Sequence, residues 1–120
     1  MVDYDARYSR SAYAYGTQAS AIVADAARHL SPNSRVVLLG EGEGRNACAL
    51  AALGHWCVAV DTSRVGLAKC AKLAKRHGVG VDCVLADARH FRARADAVAL
   101  ARGVEENVPC DSLLRNLARR

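Results

Sequence analysis

The stretch VVLLGEGEGRNACALAALGHWCVAVD, residues 36–61, decides the fold. Val36 to Leu39 run without a polar break, as in a strand buried on both faces of a parallel sheet. Three glycines at alternate positions follow. A helical run from Arg45 to Leu53 then ends at Gly54, which suits a left-handed cap. Trp56 to Val60 is a second apolar run, closed by Asp61. Strand, glycine turn, helix and strand make the opening unit of a nucleotide-binding α/β sheet.

Downstream, Thr62 or Ser63 is placed to cap a helix from about Arg64 to His77, with Gly78 behind it. Its apolar face reads Val65, Leu67, Ala68, Ala71, Leu73 and Ala74. Lys69, Lys72, Lys75 and Arg76 are expected on a solvated face. Val81 to Leu85 reads as a third strand, followed by Asp87 and Ala88. Right-handed crossovers order these strands 3-2-1. Upstream, Met1 to Gly16 reads as an irregular arm holding Tyr4, Tyr8, Tyr13 and Tyr15. Thr17 is the expected cap of a helix from Ala19 to Leu30, with Ile22, Val23, Ala26, Ala27 and Leu30 on one face. The turn residues Ser31 to Ser34 stop it. The fold class is therefore α/β: the N-terminal half of a Rossmann-like, doubly wound parallel sheet, three-layered (αβα) and incomplete.

Composition sets bounds on function. The chain has 120 residues, 52% hydrophobic and 24% charged but only 5% aromatic, which allows one domain with a lean core. Its net charge of +5 accompanies no basic–aromatic motif, so nucleic acid is not the expected partner. The five cysteines, Cys48, Cys57, Cys70, Cys83 and Cys110, form no CxxC pair. They read as apolar packers in a reduced, cytoplasmic setting, with no metal site. The polar start has no signal peptide, and no apolar run is long enough for a membrane. His29, His55, His77 and His90 stand singly and read as structural or exposed rather than catalytic, His90 near the third strand's end being the least bland of them; no catalytic residue is identified.

In the glycine turn, Gly40 lets the chain leave the strand sharply and Gly42 lets a ligand approach the backbone. Gly44 leads into a helix whose N-terminal N–H groups face the crevice. Asp61, at the tip of the neighbouring strand, is placed to accept both hydroxyls of a ribose or to cap the next helix. Two ligand classes fit. From Gly42 the residues G-E-G-R-N-A make an acceptable dinucleotide fingerprint; from Gly40, G-E-G-E-G is the looser pattern used for S-adenosylmethionine. Glu41 and Glu43 favour the second. A carboxylate about 4 Å from a phosphate costs roughly 1 kcal/mol in water and ~4 kcal/mol when partly buried, whereas a sulfonium and an ammonium tolerate it.

The stretches YGTQAS, VVLLGEGEGRNACALAALGHWCVAVDTSRVGLAKCAKLAKRHGV and VLADARHF resemble the class I S-adenosylmethionine-dependent methyltransferases. Within them the likeness is to the small bacterial group related to tellurite-resistance and thiopurine methyltransferases. It runs from about Tyr4 to Phe91. The resemblance implies a methyltransferase with S-adenosyl-L-methionine as cofactor and a small-molecule acceptor. It also implies that Gly40, Gly42 and Gly44 line the methionine part, that Asp61 holds the ribose, and that Thr62 and Ser63 flank the adenine. Asp87 and Ala88 would contact the adenine edge, Arg45 the cofactor carboxylate, and Tyr15 with Gly16 would fold over it. Many relatives carry an Asp where this chain has Leu38, which leaves Glu41 as the substitute anchor.

Residues 92–120 show no family pattern to the eye, so the chain divides at 1–91, a cofactor-binding half, and 92–120, a divergent tail. A shifted reading frame, a natural short form or a deliberate cut would each produce such a tail. Within it, Ala97 to Leu100 reads as a fourth strand after Asp96, and Asp111 or Ser112 as the cap of a helix from Leu113 to Leu117. A half-sheet leaves a strand edge on which two copies would pair, giving a homodimer. Reduced or absent turnover is expected of so short a chain. Two other readings stay open: an NAD(P)- or flavin-binding fragment of an oxidoreductase, and a non-enzymatic, self-associating fragment.

Overall fold

The computed structural model describes residues 3–10, 12–14, 16–100 and 117–118. In chain order these form α1 (Tyr4–Tyr8), α2 (Ala21–Ala27), β1 (Arg35–Leu39), α3 (Arg45–Ala52), β2 (Trp56–Asp61) and α4 (Arg64–His77). Then come β3 (Asp82–Leu85), β4 (Ala93–Arg94), β5 (Ala97–Leu100) and β6 (Leu117–Ala118). Four strands pair in parallel in the order β3-β2-β1-β5, so the 3-2-1 order is present and the strand read at Ala97 to Leu100 lies beside β1. Asp96 pins that register: its carboxylate accepts from the Arg35 N–H at 2.8 Å, and its own N–H donates to the Arg35 carbonyl at 2.8 Å. β4 and β6 make a separate two-residue parallel pair. Leu117 is thus in a strand rather than at a helix end, and residues 111–116 of the expected helix lie outside the described residues.

The continuous apolar runs divide by strand alternation into two cores. Val36, Leu38, Cys57 and Ala59 face Ala47 and Leu50 of α3, Leu67 and Cys70 of α4, and Val23 and Ala27 of α2. Val37, Leu39, Val58 and Val60 face the other way, against Val84, Ala86, Phe91 and Ala95. The described residues therefore supply one helix layer and the sheet; the opposite face is covered by the segment from Ala86 to Ala95. No described helix is long and apolar enough to cross a membrane.

Several local readings are corrected. The N-terminal arm is not irregular throughout: Asp3 caps α1 by accepting from the Ala6 N–H, and Tyr8 is buried. α2 is capped by Ser20, not Thr17, and is shorter than its pattern suggests; Ile22 and Ala26 are exposed, because only Val23, Ala27 and Leu30 lie at a spacing that reaches the core. α4 matches its expected ends, with Ser63 as cap and Gly78 in the left-handed conformation. Its buried stripe, however, is Gly66, Leu67, Cys70, Leu73 and Ala74, while Ala68 and Ala71 face out.

Candidate functional site

The C-terminal ends of β1, β2 and β3 lie side by side, with Leu39 opposite Val60 and Asp61 opposite Leu85. This brings the glycine turn, Asp61 and the Asp87 loop to one edge of the sheet. In open α/β sheets that edge is where ligands bind. The turn needs its glycines: Gly40, Gly42 and Gly44 all have positive φ, at 72°, 63° and 91°. Two of them also meet the chain itself. A Cβ on Gly42 would lie 2.8 Å from the Tyr8 ring carbon Cζ, and one on Gly44 would lie 2.9 Å from the Cys70 Cα. The open side of Gly42, read as a place for a ligand, is taken by Tyr8.

Five backbone donors in and after the turn are spent within the chain. Gly40 and Glu41 N–H donate to the Val60 carbonyl at 2.8 and 3.3 Å, and Gly44 N–H to the Glu41 carbonyl at 3.5 Å. Gly42 N–H donates to Asp61 Oδ2 at 2.8 Å. The N–H of Ala47, in the first turn of α3, donates to Glu41 Oε2. Glu41 is thus the cap of α3, since Gly44 at its start has no side chain to offer. Burial pushes its carboxyl up to about 8, against the pull of the Ala47 N–H and the nearby Arg45 charge.

Glu43 does something else. It is buried, accepts from the Ala14 N–H at 2.7 Å and is ion-paired with Lys69. Lys69 also donates to the carbonyls of Arg10 and Ala12 at 2.8 and 2.7 Å. The lysine read as part of a solvated face is therefore the clamp that ties the N-terminal arm to α4 and the turn. A groove of about 640 Å³ runs beside it between the arm and α4, and not at the strand ends.

Asp61 is buried and joins the turn to α4. Its Oδ1 accepts from the Ser63 N–H at 2.8 Å, complementing the Gly42 bond on Oδ2. Burial raises its pKa while the N–H groups of Ser63, Gly42 and Thr62 oppose the rise. Three N–H groups leave the carboxylate room for one further donor. Ser63 faces inward: its hydroxyl accepts from the Gly66 N–H at 3.0 Å and donates to Asp5. Thr62 is exposed. Asp87 is gripped by Arg89, whose Nε reaches both carboxylate oxygens at 3.1 and 3.0 Å. This hydrogen bonding holds its pKa down at about 2. Ala88 packs into the second core, and half-buried Arg45 opens α3. His55 accepts from the Ser34 N–H at 3.2 Å, a structural task, and His90 is exposed. Tyr15 lies outside the described residues.

Asp5, Tyr8 and Lys69 are the residues that sequence reasoning missed. The run DYDARY carried a signal in its Asp3 cap followed by tyrosines four apart, one helical turn. Lys69 carried none, because its partner is far away in the chain.

Residues 36–120 match the family model described as a methyltransferase domain, and that match takes in residues 92–120, where no pattern is legible to the eye. The chain belongs to this family. Its fold is also that of solved methyltransferases. It is 22% identical to a SAM-dependent methyltransferase from Geobacter sulfurreducens in complex with S-adenosyl-L-homocysteine, with a TM-score of 0.76, covering 95% of this chain and 50% of that one. A SAM-dependent methyltransferase from Thiobacillus denitrificans, also with S-adenosyl-L-homocysteine, is 22% identical with a TM-score of 0.70 over 85% of this chain and 46% of that one. TehB from Haemophilus influenzae is 24% identical with a TM-score of 0.68, over 82% and 37% of the two chains. This methyltransferase domain thus spans about half the length, or less, of these structures. No curated protein matches it.

Proposed function

We propose that this methyltransferase domain binds S-adenosyl-L-methionine at the ends of β1, β2 and β3 and serves methyl transfer to a small-molecule acceptor. The observation that carries this reading is that five N–H groups in and after the turn are already engaged. The N–H groups of Gly40, Glu41, Gly42, Gly44 and Ala47 all have acceptors inside the chain. A diphosphate needs several such donors free and aimed at it. What the edge also carries is carboxyl groups, those of Asp61, Glu41 and Asp87, each already accepting within the chain and each with oxygen left over. They suit a ligand that brings hydroxyls and an amino group.

The group fits this donor set. Bound S-adenosyl-L-methionine supplies a methyl group already activated on a sulfonium. Asp61 would take the ribose on the acceptor capacity its N–H partners leave, and Glu41 would face the amino group. Asp87, with Ala88 beside it, would border the adenine, with exposed Thr62 nearby. Gly40 would form the floor, with Gly42 and Gly44 shaping the turn from beneath against Tyr8 and Cys70, and Arg45 would meet the carboxylate. Tyr15, by the resemblance, would close over the ligand. The protein's contribution is then to orient and to exclude water rather than to form a covalent bond. Free thiols in the core fit a reducing, cytoplasmic setting. The outer edge of β5, with Val98 exposed, is where a second copy would add to the sheet. Sedimentation of a monomer at high concentration would remove that last element.

Calorimetry tests the cofactor. Titration with S-adenosylhomocysteine is expected to give saturable binding, and NADH under the same conditions none. Preference for NADH overturns the reading.

A further inference from the structure

Two N–H groups aim the Asp61 carboxylate, and one short helix braces both. Gly42 N–H reaches Oδ2 and Ser63 N–H reaches Oδ1, each at 2.8 Å. Both donors lie outside the strands, one in the glycine turn and one at the cap of α4, so the sheet ladder does not fix them. Gly42 has φ at 63° and no side chain with which to anchor itself.

Tyr8 of α1 braces the first donor. Its ring is buried and lies between Gly42 and Gly66. A Cβ on Gly42 would meet ring carbon Cζ at 2.8 Å, and one on Gly66 would meet Cδ2 at 2.7 Å. The ring enters because both positions carry only hydrogen. Asp5 of α1 braces the second donor. Its Oδ1 accepts from the Ser63 hydroxyl, whose oxygen accepts in turn from the Gly66 N–H at 3.0 Å. Asp5 and Tyr8 stand three residues apart, the spacing that sets two side chains on one helix face. Beyond α1, Lys69 holds the chain by the carbonyls of Arg10 and Ala12.

We propose that Asp5 and Tyr8 are positioning residues for the ligand's ribose: they fix the Gly42 and Ser63 N–H groups and, through them, the direction of the Asp61 carboxylate. This rests on the reading of Asp61 as the ribose residue. Asp61 already accepts within the chain, so the direction it leaves open is set by where its donors stand. The terminal torsion of an aspartate is broad, and a turn free to shift would let the carboxylate rotate. The ligand would then have to order it on binding, at a cost in affinity that the brace removes beforehand.

Calorimetry compares S-adenosylhomocysteine with its analogue lacking both ribose hydroxyls, well below the melting temperature of each protein. The native chain should prefer the parent by about tenfold, as one hydrogen bond to a charged group is at stake. In Asp5→Ala, at an exposed position, and in Tyr8→Ala, the preference should shrink to about threefold or less. Tyr8→Phe keeps the ring and should retain the native preference. A residue that only stabilises the fold would lower the melting temperature and leave this ratio alone, so an unchanged ratio in both alanine variants overturns the proposal. Amide hydrogen exchange reads the brace without ligand. Gly42 N–H should exchange about tenfold faster in Tyr8→Ala, and Ser63 N–H in Asp5→Ala, with the β1 amides unchanged. Native exchange rates at both amides overturn the proposal whatever the ligand does. A native chain that binds neither compound strikes the methyltransferase reading and the ribose role together, whereas native binding with an unchanged ratio strikes the brace alone.

Discussion

Replacing Glu41 with Gln tests whether the carboxyl in the turn is held against its charge. Its pKa rises from 4.5 to about 8 because it is buried. A carboxyl raised on folding contributes its full stability below the unfolded value, and loses it as pH climbs through the folded one. Between those values the folded chain holds one proton that the unfolded chain has released, so stability falls by about 1.4 kcal/mol per pH unit. From pH 5.5 to 7.5 this amounts to about 2.5 kcal/mol, after allowing for the flattening near the folded value. The amide of Glu41→Gln keeps an oxygen for the Ala47 N–H, so the cap survives while the titration is removed. Asp61 is present in both proteins, so its contribution largely cancels in the difference. Urea unfolding followed by the fluorescence of Trp56, the single tryptophan, at several pH values is the assay. The two proteins should be of similar stability near pH 5.5, with the Gln variant ahead by about 2 kcal/mol at 7.5. Parallel curves across this range would refute the reasoning.

Lys69→Met should destabilise by about 3 kcal/mol in urea unfolding, because it strands the buried Glu43 carboxylate and leaves the Arg10 and Ala12 carbonyls without their donor. A loss below about 0.5 kcal/mol would mean the clamp contributes as little as a surface pair. Gly44→Ala and Gly78→Ala both place a Cβ at positive φ, but only the first meets atoms, Cys70 among them. Gly78→Ala should cost about 1 kcal/mol and Gly44→Ala about 2 kcal/mol more; equal melting temperatures would remove the crowding argument. Asp87→Asn should flatten the acid limb. The pKa of Asp87 is depressed from 3.8 to about 2, so its carboxylate stabilises above the first value and that stability is lost as pH falls towards the second. Circular dichroism between pH 4 and pH 2 reads the difference, and identical limbs would show that the Arg89 contact is idle.

The fold was legible wherever the signal was local. The apolar runs of β1 and β2, the glycines ending α3 and α4, and Ser63 before α4 each carry their reason within a few residues. Propensity failed where a choice among equals was settled by distant packing. Thr17 and Ser20 are both good caps, and Ser20 is used where its N–H also reaches Asn46 Oδ1 at 2.9 Å. Likewise Cys70, not Ala68 or Ala71, lies on the buried stripe of α4, because that side meets Gly44 and the core under β1 and α3.

The two glutamates show the same limit at the site itself. Sequence alone permits a reading in which both carboxylates repel a phosphate through space. In the folded chain Glu43 is neutralised by Lys69 and turned towards the arm, and Glu41 is bound to the first turn of α3. Repulsion is therefore not what disfavours a diphosphate here. Occupancy is: Glu41 already sits on a helix N–H that a phosphate would use, and Asp61 and the Val60 carbonyl hold the N–H groups of Gly42, Gly40 and Glu41. Charge repulsion is weakened by salt, whereas a donor already hydrogen-bonded inside the fold stays engaged at any ionic strength. Discrimination against dinucleotides should accordingly survive high salt.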